Sequence, residues 1–481
     1  MLIRGRRYCP LLLLVCVLLL GACSSANHLL DQEIPPVSYA PPTPDTWELP
    51  NGLRIFYVRD DELPTVRGTL FVRGGTVWQQ PTELGQFSAM GSQMRQGGTI
   101  ARDPDALDRE LETLAASVGS SFGSEYGTVS FACLAADFGR VFKLFSDVVL
   151  HPRFDQQRLS LYQAQELEGI ARRKEQPGTV INIGFLQLLY GDTPYGWVKL
   201  DKDVKALTRA KLRAAHRRLV VPQHSYLAIS GAVDRSIVQQ LVEKRFRDWK
   251  GKGMQLSPPP VDYTPKSGVY FIKSPFPQAR ISFGHLSVPR HTADHYAIRG
   301  FNTIFGEAAD SRLFKRIRTE LGLAYGVYGG IDPGLVRGTS SVAFPTRAEV
   351  TGQALVEALR VLQDTRRQPV QRVELESMKR SVANSYVFKF DSKHGLVRRA
   401  VLLKLLGYPD DYDETFLDRV SALKPEDVLE VARKRWRPDE FVVLVVGNEV
   451  AYDSVRSVMQ DPPDVLRGYE LTLRSFDQAL L

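Results

Sequence analysis

Cysteine is scarce in this chain of 481 residues, and three of the four (Cys9, Cys16 and Cys23) fall within the first 23 positions. That leaves Cys133, alone in the apolar alternation Thr128-Val-Ser-Phe-Ala-Cys-Leu134, so no internal disulfide framework is available. A single thiol in such a strand pattern reads as an inert core residue. Histidine is as sparse: there are eight, and none lies between His28 and His151. No apolar run is long enough to cross a bilayer, which takes about 20 residues. The one compact run, Leu11 to Leu20, is half that length. Basic charge is in excess, at a formal +8, but Arg4, Arg6 and Arg7 account for three of it. The rest is scattered, with no basic stripe interleaved with aromatics, which excludes nucleic acid as a partner.

What is present starts with the leader. Arg4, Arg6 and Arg7 precede the apolar run, and Leu20-Gly21-Ala22-Cys23 closes it, as in a signal peptide over residues 1–22. The closing residues resemble the lipobox of bacterial lipoproteins. That resemblance implies acylation of Cys23, and Ser24 in the next position implies the outer membrane, on its periplasmic side. Acyl chains on Cys23 would anchor the protein to the membrane of the cell envelope. Residues 23–44 are polar and rich in proline (Pro35, Pro36, Pro41, Pro42, Pro44), as a lipidated tether would be.

Beyond the tether the chain divides into 45–250 and 267–460, joined by a Gly/Pro-rich linker at 251–266 and followed by a tail at 461–481. The halves repeat. A helical pattern from Leu207 stops at Pro222 and is followed by the apolar run Ser225-Tyr-Leu-Ala-Ile-Ser-Gly231. At a constant offset of 216 residues, Leu423 to Pro438 and Phe441-Val-Val-Leu-Val-Val-Gly447 repeat both. Duplication of one domain accounts for that register. In the first half, alternating strands at Arg54–Val58 and Gly68–Arg73 give way to helical periods at 107–118, 138–150 and 157–174. The expected class is α+β: two homologous domains, each a mostly antiparallel sheet with helices packed on one face.

Several motifs then carry a resemblance. Asn51-Gly-Leu-Arg54, Val72-Arg-Gly-Gly75, Glu83-Leu-Gly85, Leu150-His-Pro152 with Phe154, Leu189-Tyr-Gly191 with Thr193-Pro-Tyr-Gly196, and Asn302-Thr-Ile-Phe-Gly306 occur in order. Ser311-Arg-Leu-Phe314 followed by Arg318-Thr-Glu-Leu-Gly-Leu-Ala-Tyr325 completes the set. The chain resembles insulinase/pitrilysin-type zinc peptidases, especially the mitochondrial-processing-peptidase branch, over nearly all of 45 to 450. The resemblance implies an H-x-x-E-H helix just after Gly85, because residues at i, i+3 and i+4 share one helix face. Two His would bind zinc and the Glu would activate water. Here those positions hold Ser88, Gly91 and Ser92. The implied third ligand, a Glu on a later helix, falls at Glu168 or at Gly169, and the sequence leaves that choice open. Zinc, and peptidase activity of this chain by itself, are therefore not expected. His291 and His295 have metal-compatible i, i+4 spacing but no third ligand nearby.

The second half keeps what the first has lost. The resemblance implies an Arg and a Tyr that face the zinc across a chamber and hold the substrate backbone, and Arg318 and Tyr325 match them. A guanidinium and a phenol suit a peptide carbonyl or the oxyanion developing from it. The resulting expectation is a non-catalytic subunit in a heterodimer devoted to proteolysis. It would close the peptide chamber and supply Arg318 and Tyr325 to a homologous zinc-bearing partner. The alternative is a non-enzymatic peptide-binding or scaffold lipoprotein that captures extended peptides by strand addition.

Overall fold

The computed structural model describes residues 42–475. The leader, Cys23 and the tether as far as residue 41 lie outside the described residues, as do 476–481. The first half contributes β1 (Asp45–Glu48), β2 (Arg54–Arg59), β3 (Thr65–Arg73), α1 (Gln86–Gln96), α2 (Pro104–Thr113), β4 (Ser117–Phe122), β5 (Tyr126–Leu134), α3 (Phe138–Leu150), α4 (Gln156–Ala171), α5 (Pro177–Tyr190), α6 (Arg209–Leu219), β6 (Ser225–Gly231) and α7 (Arg235–Phe246). The second contributes β7 (Gly268–Lys273), β8 (Gln278–Leu286), α8 (His295–Asn302), β9 (Tyr328–Asp332), β10 (Thr339–Arg347), α9 (Thr351–Arg367), α10 (Arg372–Tyr386), α11 (Lys393–Leu405), α12 (Tyr412–Ser421), α13 (Pro425–Arg435), β11 (Val442–Gly447), α14 (Glu449–Gln460) and β12 (Leu471–Arg474). None of the described helices is long and apolar enough to cross a membrane.

The expected α+β class holds. Two six-stranded sheets form, in the orders β1-β2-β6-β3-β5-β4 and β12-β7-β11-β8-β10-β9. Most pairs are antiparallel. β2 with β6 and β7 with β11 are parallel at equivalent places, so the 216-residue repeat is a repeat of topology. β12, drawn from the stretch expected to be a tail, pairs parallel with β7 at the sheet edge that β1 occupies, antiparallel, in the first half. One helix is shorter than its periodicity suggests: α2 stops at Thr113, Ala115 turns back at φ +44°, and Val118 belongs to β4.

β6 and β11 are buried at every residue, which explains why β11 is apolar throughout and β6 nearly so: a strand covered on both faces has no solvent side to make polar, and the two serines of β6, Ser225 and Ser230, bond to the Val221 carbonyl and to His394. One face of each sheet is covered by helices of its own half, forming the two main cores. The other face takes a helix from the opposite half. Ile181, Phe185 and Leu189 of α5 join Tyr270, Ile272 and Leu444 of the second sheet in one buried cluster. Val397, Val401 and Leu405 of α11 lie against Phe71, Tyr226 and Ala228 of the first. Each large apolar side chain among them contributes about 1.5–3 kcal/mol on burial. Between the halves, Arg290 Nη2 also donates to both Glu125 oxygens, at 2.8 and 2.9 Å. The two halves are thereby fastened to each other by exchanged helices.

Candidate functional site

The helix expected to carry zinc ligands is α1. Gly85 precedes it at φ +81°, and Ser88, Gly91 and Ser92 lie along it as the i, i+3, i+4 spacing requires. Ser88 Oγ donates to the Gly85 carbonyl at 3.1 Å and Ser92 Oγ to Gln96 Oε1 at 3.2 Å, so both hydroxyls are engaged within their own helix. Gly91 is buried against β4. A Cβ there would stand 2.6 Å from the Phe122 backbone nitrogen, and Ser120 Oγ donates to the Gly91 carbonyl at 2.5 Å. This close approach of helix to strand is one that only glycine permits.

α4 packs beside α1. Asp155 starts it by accepting from the N–H groups of Gln157 and Arg158. Tyr162 and Glu166 share one face by their i, i+4 spacing, and Gly169 continues that face one turn on. The Tyr162 phenol is pushed up to about 12 by burial, and further by the Glu166 carboxylate beside it. Glu166 in turn pairs with the Lys199 ammonium, whose stem lies across Gly85. Glu168 points elsewhere, to an exposed pair with Arg172 at 2.8 Å. Of the two positions left open by the sequence, Gly169 is therefore the one on the α1-facing side, and a Cβ placed there would meet nothing within 4 Å.

The residues present do not fit zinc. Two hydroxyls tied to their own helix and two glycines stand where imidazoles and carboxylates would be needed, and the nearby Glu166 carboxylate is neutralised by lysine. Among the described residues there is no group of three or more His, Cys, Asp or Glu able to hold a metal ion. His291 Nε2 lies 2.9 Å from the Leu406 carbonyl and His295 Nε2 2.8 Å from the Tyr412 hydroxyl, so one ring nitrogen of each is committed to a separate local bond. Cys133 is buried, and burial pushes its thiol up to about 12, which keeps it protonated.

The second-half pair is built differently. Residues Lys315–Glu320 form a π-helical turn, closed by Gly322 at φ +58°. The Gly322 N–H donates to the Arg318 carbonyl and the Leu323 N–H to that of Ile317, a left-handed closure of the kind that ends helices. Leu323, Ala324 and Val327 are buried and fix the segment leading into β9, while Tyr325 projects outward with 86% of its surface exposed. The Arg318 guanidinium lies 4.7 Å from the Phe314 ring centroid and 4.9 Å from that of Tyr325. The geometry thus brings Arg318 and Tyr325 together as expected. It also adds Phe314, a residue missing from the expected site although its i, i+4 spacing to Arg318 is plain in the sequence. Two aromatic faces hold the cation at about 0.5–1 kcal/mol each while leaving its N–H edge outward.

Residues 206–382 match the family model described as the Peptidase M16 inactive domain. The chain is 28% identical over 339 residues to an uncharacterized zinc protease of Mycobacterium leprae, covering 64% of this chain and 74% of that one. It is 21% identical over 399 residues to the uncharacterized zinc protease YmxG of Bacillus subtilis, covering 82% and 96%. Among solved structures it resembles a peptidase M16 inactive domain from Pseudomonas fluorescens, with a TM-score of 0.78 and 25% identity over 85% of this chain and 99% of that one. The periplasmic protease PqqL of Escherichia coli shares the fold, with a TM-score of 0.72 and 16% identity over 87% of this chain and 47% of that one. The likeness to an inactive domain thus covers residues 206–382, while over more of its length the chain is similar to proteins described as zinc proteases.

Proposed function

We propose that this chain is the non-catalytic subunit of an envelope zinc peptidase, anchored through Cys23, that closes a peptide chamber and presents Arg318 and Tyr325 to a substrate cleaved by a zinc-bearing homologue. The observation that carries the reading is the state of Arg318. Its faces are covered by Phe314 and Tyr325, its side chain is exposed, and no ion pair among the described residues engages it. A cation held in place by rings rather than by a carboxylate keeps its donors for an incoming carbonyl or oxyanion.

The exchange of α5 and α11 supports the need for a second chain. With the two halves fastened together, an exposed Tyr325 is enclosed by docking another protein against it. Co-purification of the mature protein with its membrane neighbours, followed by peptidase assay of the assembled pair, tests the proposal. Arg318→Ala should lower kcat by about 10²–10³-fold, as removal of an oxyanion donor does. Unchanged turnover in that variant would remove the shared-site claim.

A further inference from the structure

The arginines around the π-helical turn Lys315–Glu320 divide into two sets. On one side both have carboxylates. Arg312 donates to the two Glu374 oxygens of α10, each at 2.7 Å, and Arg316 donates to Glu357 of α9 at 2.8 and 3.0 Å and to Glu320 at 3.1 Å. Arg318 is two residues on from Arg316, and so on the opposite side of the turn. There it has a second arginine for company and no carboxylate. Arg347, at the end of β10, donates from Nη1 to the Gly322 carbonyl at 3.1 Å, while the Gly322 N–H takes the Arg318 carbonyl. One glycine thus sets the place of both arginines.

Arg280 continues the row on the neighbouring strand. β8 pairs antiparallel with β10, with Arg347 opposite Gln278 and Pro345 opposite Arg280, so Arg347 and Arg280 are diagonal neighbours on one face. That face is the one α5 covers, and a Cβ on Gly178, in the first turn of α5, would stand 3.9 Å from Arg280 Cζ. Arg347 is exposed and Arg280 half-buried, and neither they nor Arg318 form an ion pair among the described residues. Neighbouring guanidiniums repel one another, and a run of one sign concentrates ligands of the other. We infer that the row Arg318, Arg347, Arg280 selects acidic peptides, Arg318 meeting the backbone and the other two meeting side-chain carboxylates. An extended peptide brings residues i and i+2 to the same face about 6.6 Å apart, close to the roughly 7–8 Å between diagonal neighbours on paired strands. The fit is therefore to Asp or Glu at alternate positions. The role given to Arg318 rests on the proposed function; the unmatched charge at Arg347 and Arg280 is a property of this chain.

Three synthetic peptides that differ only in carrying Glu, Gln or Lys at two alternate positions test it. Fluorescence anisotropy on the mature chain alone should show the Glu peptide bound about tenfold more tightly than the Gln peptide, and the Lys peptide most weakly. The gap should close as salt shortens the screening length from about 10 Å at 0.1 M toward about 3 Å at 1 M. Arg280→Gln and Arg347→Gln should each cut the Glu-over-Gln ratio by about threefold or more, whereas Arg347→Lys, which keeps the charge, should retain most of it. In the assembled pair the preference should appear in KM, while Arg318→Ala lowers kcat on the Glu and Gln peptides alike. Equal binding of the three peptides, or a Glu preference indifferent to both Gln substitutions, would overturn the inference. So would weakened assembly of the pair in Arg280→Gln without any peptide preference, which would give the row to the partner's surface instead. Failure of the pair to form, or full turnover in Arg318→Ala, would count against the proposed function and leave the single-chain binding to decide the acidic preference.

Discussion

Gly91 against Gly169 is the sharpest test of how tightly α1 is seated. Both are helical glycines, Gly91 where the resemblance to zinc peptidases implies a Glu and Gly169 at one of the two positions where it implies the third ligand, so propensity alone predicts that alanine stabilises both, by about 0.5–1 kcal/mol. The surroundings predict opposite signs. At Gly91 an added Cβ would lie 2.6 Å from the Phe122 nitrogen, 2.9 Å from Phe122 Cδ2 and 2.9 Å from the Ser121 carbonyl carbon. Ordinary contact begins near 3.4 Å, so α1 must lift about 0.8 Å from β4. Overpacking of that kind costs about 1–3 kcal/mol. The bond from Ser120 Oγ to the Gly91 carbonyl is strained along with it, for about 1 kcal/mol more. After the propensity gain, Gly91→Ala should destabilise the chain by about 1–3 kcal/mol. Gly169→Ala, with nothing within 4 Å, should leave it unchanged or more stable. Urea and thermal melts of the mature chain, with the two variants beside wild type, give the comparison. A Gly91→Ala protein as stable as Gly169→Ala would refute the tight seat. Gly91→Glu, the change that would place a general base there, carries the same clash and adds a carboxylate against the strand.

Phe314→Ala in the assembled pair should lower kcat by about two- to fivefold, because about 0.5–1 kcal/mol of ring contact holding Arg318 is lost; Phe314→Tyr should retain wild-type turnover, and equal loss in both would deny Phe314 its positioning role. Acid should destabilise the chain through His216, His285 and His394, whose imidazoles are pushed down to about 4, chiefly by burial. A folded-state value below the unfolded one, near 6.5, means that the unfolded chain binds the proton first, so this stability is complete above pH 6.5 and drains as pH falls toward 4. For His285, whose Nε2 accepts from the Arg437 N–H and is therefore neutral, the loss by about pH 5 is at most about 2 kcal/mol. Melting temperature followed from about pH 8 to about pH 5 checks this; a flat profile, or one unaltered by His285→Gln, would count against it.

Much of the fold was written in patterns short enough to read. The mostly apolar runs at β6 and β11, their 216-residue offset, and the Arg318–Gly322–Tyr325 spacing all depend on local chemistry, and the structure has each of them. What stayed hidden depends on partners remote in sequence. Lys199 meets Glu166 and Asn302 meets Ile331 across gaps that no periodicity spans. The exchange of α5 between halves was hidden for a related reason. Its sequence, Pro177 to Tyr190, is apolar nearly all round, which signals burial without saying against which sheet. The choice between Glu168 and Gly169 turned on a single step of about 100° around α4, which only the placement of Tyr162 and Glu166 against α1 could fix.

The two halves also explain each other. In the second, Gly306 seats its helix on the edge of β9; in the first, Gly91 seats α1 on β4, 215 residues earlier and within one residue of the repeat offset. The half in which a general base would be expected is thus packed as the other half is, with a glycine where a carboxylate would need room. Tyr325 presents the opposite case. Its neighbours Ala324 and Val327 are buried and hold the segment, whereas the tyrosine ring itself is almost wholly exposed and adds little to the core. Packing accounts for Gly91 and leaves Tyr325 and the outward edge of Arg318 without a structural reason to be there. An exposed aromatic stacked on a cation that no carboxylate among the described residues engages is the arrangement the proposed function calls for, and under that proposal the peptide-binding surface lies on the second domain.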